Sequence, residues 1–269
     1  MKQSKKILLF GITVLALLVV VLVAGIMRRE SVAGGLVVNI SSRGSSPLLS
    51  AAEVELALVQ EFPGLTSSRV KDVDTRRIER YLRENPYVES VHSAVSVGGR
   101  ILVNVTTRCP IVRVFYDGAD FYIDARGHCF NARRSNNCDV IVASGFLGVQ
   151  LPETISSLSL SLPDTDSNYV GDRMANVWHL AKYLDSNKAE YENLFDQIYV
   201  DADGDLILQP RLGDYEILLG DASGLDEKFD RLKRFYANGL PHAGYNSYSR
   251  INLKYKGQVV CTKKKQTNK

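Results

Sequence analysis

The chain has 269 residues, 33 of them Lys or Arg and 30 Asp or Glu, with 45% hydrophobic residues. Lys2, Lys5 and Lys6 precede an apolar run, and Lys263, Lys264, Lys265 and Lys269 close the chain; without those seven, 26 bases face 30 acids between Arg28 and Thr262. Phosphate binding needs a concentrated basic face, so a nucleic-acid partner is excluded.

In chain order, a short stretch over 1–6 leads into Ile7 to Met27, which carries no charge and is dominated by Leu, Val and Ile, interrupted by Gly11, Thr13 and Gly25. A helix rises about 1.5 Å per residue, so roughly 20 such residues cross the ~30 Å hydrocarbon layer. Residues 7–27 therefore predict a single transmembrane helix. A cleaved signal would have an apolar region of about 7–15 residues ending at a small-x-small site. The balance of flanking charge, and the tendency of long C-terminal domains to be translocated, place the N-terminus in the cytoplasm and the body outside it.

Leu36 to Ile40 reads as a short strand. Ser50 with Glu53 forms a capping box, followed by Val54, Leu58 and Val59 as a buried stripe and by Pro63-Gly64 as a stop. Asp74 caps a second helix carrying Ile78, Tyr81 and Leu82, which Asn85-Pro86 ends. Val88, Val91 and Val95 to Val97 suggest a strand whose alternation slips once; Gly98-Gly99 predicts a two-residue hairpin turn before Ile101, Val103 and Val105. The order over 36–107 is β-α-α-β-β, a compact α+β domain.

From 108 to 262 a β-rich domain with packed helices is predicted. Strands lie at Ile111 to Tyr116, Phe121 to Ile123 and Val140 to Val142, followed by a polar stretch, Leu151 to Ser167. Met174, Val177, Trp178, Ala181 and Leu184 recur as a helix stripe, with Trp178 in the core. A meander over Leu194 to Val200, Leu206 to Leu208 and Tyr215 to Leu219 precedes an amphipathic helix from Leu225 to Tyr236. Ile251, Leu253 and Tyr255 alternate in a further strand, and Val259 to Cys261 is a last apolar run that can border a sheet. Residues 263–269 form a Lys-rich tail.

Cys109, Cys129, Cys138 and Cys261 permit three full pairings in an oxidising compartment. Cys129 and Cys138 are nearest in sequence; a bridge between them would contribute roughly 2–3 kcal/mol, and free thiols are the alternative. The spacing from His128-Cys129 to Cys138 matches no paired zinc-ligand pattern. Asp201, Asp203 and Asp205 mimic a calcium loop, but Leu206 and Leu212 occupy the places of its Gly and Glu, so a hairpin turn is predicted. With no nucleophile elbow, phosphate loop or His-Glu-x-x-His pair, no catalytic residue, cofactor, metal or small-molecule substrate is expected.

Several segments together resemble the bacterial division protein family FtsQ, or DivIB. They are Asn85-Pro86-Tyr87-Val88 leading to Val103-Asn104-Val105-Thr106-Thr107-Arg108, then Pro110-Ile111-Val112-Arg113, then Ile123-Asp124-Ala125-Arg126-Gly127-His128-Cys129-Phe130. The last is the helix from Leu225 with Ile251-Asn252-Leu253-Lys254-Tyr255-Lys256-Gly257, where Asn252 replaces the usual Asp. The resemblance implies a POTRA-like first domain and a non-enzymatic inner-membrane scaffold at the division septum. Its expected partners are the bitopic proteins FtsB and FtsL and other divisome components, captured by strand addition. By match to the family's interaction segment, the docking edge falls at Tyr255, Gly257, Gln258, Val259 and Val260. An anchored POTRA adaptor for envelope assembly or transport is the alternative.

Overall fold

In the computed structural model the described residues are 10–23, 32–44, 47–132, 138–148, 155, 173–244 and 246–264. They divide into two compact units, Met1–Arg108 and Cys109–Lys269. Helix α1 (residues 10–23) has exposed side chains throughout. It lies within the predicted span over 7–27, of which residues 7–9 and 24–27 lie outside the described residues. Among the described residues no helix is long and apolar enough to cross a membrane.

In the first unit β1 (Leu36–Ser42), α2 (Ala51–Glu61), α3 (Thr75–Arg83), β2 (Val88–Val95) and β3 (Ile101–Thr107) follow in chain order. Helix α2 begins where its caps are encoded: Ser50 Oγ accepts the Glu53 amide at 3.2 Å, and Glu53 Oε2 accepts the Ser50 amide at 2.7 Å. Each bond satisfies a donor that the helix start would otherwise orphan. Asp74 Oδ1 accepts the Arg77 amide at 3.0 Å and so opens α3. The sheet order is β1-β3-β2, with β3 parallel to β1 and antiparallel to β2. Val54, Leu58, Ile78 and Leu82 from the helices are buried, as are Val91, Ile101, Val103 and Val105 from the strands.

Three local details differ from, or sharpen, the sequence reading. Val59 is 49% exposed, because one residue beyond Leu58 lies about 100° further round the helix. The slipped alternation in β2 is a bulge between Val88 and Ser90. The hairpin after β2 has a three-residue loop, Val97 to Gly99, not a two-residue one; the Ser96 amide donates to Arg100 O at 2.8 Å and the Gly99 amide to Ser96 O at 3.0 Å.

The second unit contains β4 (Pro110–Tyr116), β5 (Ala119–Asp124), β6 (Cys129–Asn131), β7 (Ile141–Gly145), α4 (Arg173–Ser186), α5 (Lys188–Tyr191) and β8 (Phe195–Val200). It continues with β9 (Leu206–Pro210), β10 (Glu216–Gly220), α6 (Leu225–Arg234), α7 (Leu240–Ala243), β11 (Tyr248–Asn252) and β12 (Val260–Lys263). Among the described residues the strands form one sheet of nine, ordered β12-β11-β10-β9-β8-β7-β4-β5-β6. Parallel neighbours need a crossover. Accordingly α4 and α5 lie between the parallel strands β7 and β8, and α6 and α7 between the parallel strands β10 and β11.

One core joins α4, α5 and α6 to the sheet. Met174, Val177, Trp178, Ala181 and Leu184 are all buried in it with Val112, Val114, Phe121 and Ile198. Trp178 donates its indole N–H to Asp124 O at 2.9 Å, so its polar edge is satisfied inside the core. Phe229 of α6 packs its ring against Tyr183, Tyr191 and Phe195, with centroids 5.0, 4.9 and 6.0 Å away. The helix predicted to reach Tyr236 stops at Arg234, and Phe235–Gly239 forms a π-helical turn before α7. The polar stretch over 151–167 apart from residue 155, and residues 265–269 of the tail, lie outside the described residues.

Candidate functional site

Among the described residues the sheet ends in β6 on one side and β12 on the other. An end strand directs one row of its amides and carbonyls away from the sheet. Strand β12 is antiparallel to β11, with Arg250 opposite Thr262, Ile251 opposite Cys261 and Asn252 opposite Val260. Just past it, the Lys264 amide donates to Ser247 O at 3.0 Å, and Ser249 Oγ donates to Thr262 O at 3.3 Å. Main-chain groups alternate between the two sides of a strand. Residues 260, 262 and 264 therefore point theirs at β11, and Cys261 and Lys263 point theirs outward. Side chains alternate as well: Val259 and Cys261 pack partly buried against the core, while Val260 is 42% exposed.

The predicted docking residues are spread unevenly along this border. Only Val260 belongs to β12; Tyr255 and Gly257 sit in the turn after β11, and Gln258 and Val259 lead up to the strand. The alternation through Ile251, Leu253 and Tyr255 does not continue as one strand. Strand β11 ends at Asn252, whose Oδ1 accepts the Lys254 amide at 2.9 Å and bends the chain. Leu253 remains fully buried and donates its amide to Leu218 O at 2.8 Å. Tyr255 then emerges 52% exposed. Gly257 has φ +75°, with nothing within 4 Å of an added Cβ, so its left-handed conformation, not crowding, calls for glycine.

Beside this hairpin is a groove of about 720 Å³ whose walls include Asp205, Asp221, Lys228, Arg231 and Lys254. None of these is among the sequence-predicted docking residues. Lys228 is buried; its Nζ donates to Asp221 O at 2.8 Å and to Asp221 Oδ1 at 3.0 Å. Burial alone would raise the Asp221 carboxyl, but hydrogen bonds from Ser223 and Lys228 outweigh it and hold the group below the usual carboxylate value. Arg231 Nη2 donates to Leu253 O at 2.8 Å, so α6 braces the hairpin directly. Lys254 Nζ lies 2.7 Å from Asp205 Oδ2. Asp201 Oδ1 accepts the amides of Asp203 and Asp205 at 3.0 and 2.9 Å, which makes the acidic triplet a turn. The only sequence signal for the brace is that Lys228 and Arg231 are three apart on one helix and so share a face.

The histidines do not assemble. His92 lies on β2 in the first unit, and His242 Nδ1 is 2.7 Å from Asn238 O. His128 Nδ1 lies 3.5 Å from Asp124 Oδ1. His179 lies on α4, its imidazole pushed down first by burial and then by Lys182.

Among known families, the sequence model described as FtsQ/DivIB, C-terminal related, matches residues 109–262, from the first residue of the second unit into β12. No curated protein matches the chain.

Proposed function

The chain belongs to the FtsQ/DivIB family of non-catalytic, division-site membrane proteins, and on that premise we propose that it is a bitopic scaffold of the bacterial divisome. In this reading it captures FtsB- and FtsL-type partners by adding one of their strands along β12. The supporting observation is the phase of β12: Cys261 and Lys263 aim their main-chain groups away from β11 at the border of the sheet. A strand laid there gains ladder hydrogen bonds, and exposed side chains beside it select the sequence. Tyr255 and Val260 supply exposed apolar surface at one end of the border.

The anchor belongs to the same proposal. Phe10, Leu15, Leu17, Leu18, Val20 and Leu22 of α1 are all more than half exposed, and a helix that is apolar all round is stable only where an apolar medium covers it. We place the span at 7–27, the N-terminus in the cytoplasm, and the POTRA-like 36–107 and β-rich 108–262 domains outside, at the septum.

Tyr255→Ala and Val260→Glu in the full chain should each weaken capture of a soluble FtsB fragment and leave the melting temperature unchanged. Undiminished capture by both variants overturns the docking border. Parallel loss of capture and folding reassigns the two residues to the core.

A further inference from the structure

All four cysteines carry thiols, and Cys129 and Cys138 are the pair nearest in sequence. The sheet itself stands between these two. Cys129 lies on β6 opposite Ile123, and cross-strand neighbours share a face; both belong to the core under the helices. There, burial first and Asp124 second push the Cys129 thiol up to about 12. Cys138 approaches the other face. Its amide donates to the Tyr122 hydroxyl at 3.3 Å, and Tyr122, next to Ile123 on β5, points to the opposite side of the sheet. The Tyr122 ring packs on Phe130, and the Arg113 guanidinium lies 5.7 Å from its centroid.

Cys109 reaches the same place by a different route. Strands β4 and β7 run parallel, with Val112 facing Ile141. Cys109 directly precedes β4, and Cys138 stands just ahead of β7, where the Val140 amide donates to Cys138 O at 3.0 Å and turns the chain into the strand; both lie where these neighbouring strands enter the sheet. Both residues are half-buried. The Cys138 thiol is raised first by burial and next by the Cys109 thiol beside it.

We propose that Cys109 and Cys138 are the partners of a disulfide that closes when the second unit meets a disulfide oxidant, stapling the entrance of β4 to the entrance of β7. One cysteine thiolate attacks a sulfur of the oxidant, breaking its S–S bond, forming a mixed disulfide and releasing one thiol. The other cysteine thiolate then attacks the protein sulfur of that mixed disulfide and releases the second thiol. The two protein sulfurs lose two electrons, the two oxidant sulfurs gain them, and the two cysteine protons leave on the released thiols. Since the thiolate is the nucleophile and Cys138 is held above its ordinary value, closure quickens as pH rises.

The test is disulfide mapping on the full chain, reduced and then equilibrated with glutathione disulfide. Trypsin places Cys109, Cys129 and Cys138 in separate peptides, 109–113, 127–133 and 135–173. The expected product joins 109–113 to 135–173 and persists in Cys129→Ala. In Cys109→Ser it is absent, and 135–173 carries glutathione or a free thiol. Linkage of 127–133 to 135–173 overturns the assignment. So does a wild-type chain in which Cys138 stays alkylatable or stops at the glutathione mixed disulfide.

Discussion

Proline scanning of β12 tests the phase of its backbone, on which the docking border depends. The amide of Thr262 faces β11 beside Arg250, whereas that of Lys263 faces outward. Thr262→Pro removes a ladder bond and strands a carbonyl on β11, a loss of about 1–3 kcal/mol in folding stability. Lys263→Pro removes a donor that the ladder does not use, at an exposed side chain, and should shift stability by about 0.5 kcal/mol or less. Binding reverses the ranking. An incoming strand loses one hydrogen bond at Lys263→Pro, about 1 kcal/mol or roughly fivefold in Kd, and the ring blocks approach of its carbonyl, bringing the loss to about tenfold. Urea midpoints of the full chain in detergent, with isothermal titration of a soluble FtsB fragment, measure both quantities. Wild-type affinity in Lys263→Pro, or unfolding by Lys263→Pro and not by Thr262→Pro, refutes the assigned alternation.

Further expectations concern stability. Leu58→Ala should cost about 2–5 kcal/mol and Val59→Ala within about 0.5 kcal/mol, since Leu58 is fully buried and Val59 half exposed; equal losses in urea titration would contradict the observed stripe. Gly145 has φ +110°, and an added Cβ would stand 2.2 Å from Val200 O. Gly145→Ala should therefore lose about 3 kcal/mol or more, and a wild-type denaturation midpoint would exclude that packing. The Asp221 carboxyl is lower in the folded chain than in the unfolded one, so its stabilisation is complete above the unfolded value of about 3.9 and is lost as pH falls through the lower folded value. Lys228→Met should flatten that acid-side loss of denaturation midpoint, and an unchanged slope would show that Lys228 does not hold the group down.

Much of the fold was legible because its signals are short-ranged. A cap involves residues three apart, and a helix stripe such as Met174 to Leu184 repeats within a few turns, so Ser50, Asp74 and Trp178 could be placed without knowing their distant neighbours. The errors arose where a single bond or one residue's phase overrode the pattern around it. Tyr255 continues the period of Ile251 and Leu253, yet Asn252 captures the Lys254 amide and turns the chain out of the strand. The docking segment was legible as a terminal apolar run, but its outward groups at Cys261 and Lys263 depend on the register with β11, which no residue of the segment encodes.

Charge, caps and periodicity are properties of neighbouring residues, so the uncharged run at the N-terminus, the helix starts and most strand locations can be read from the chain alone. Tertiary structure decided that β12 borders the sheet, that Arg231 braces Leu253, and that Cys138 stands beside Cys109 with the sheet between it and Cys129. The physical reason is that β-sheet hydrogen bonds join backbone groups common to every residue, so a strand's own pattern specifies a face to bury but not which distant strand lies alongside it.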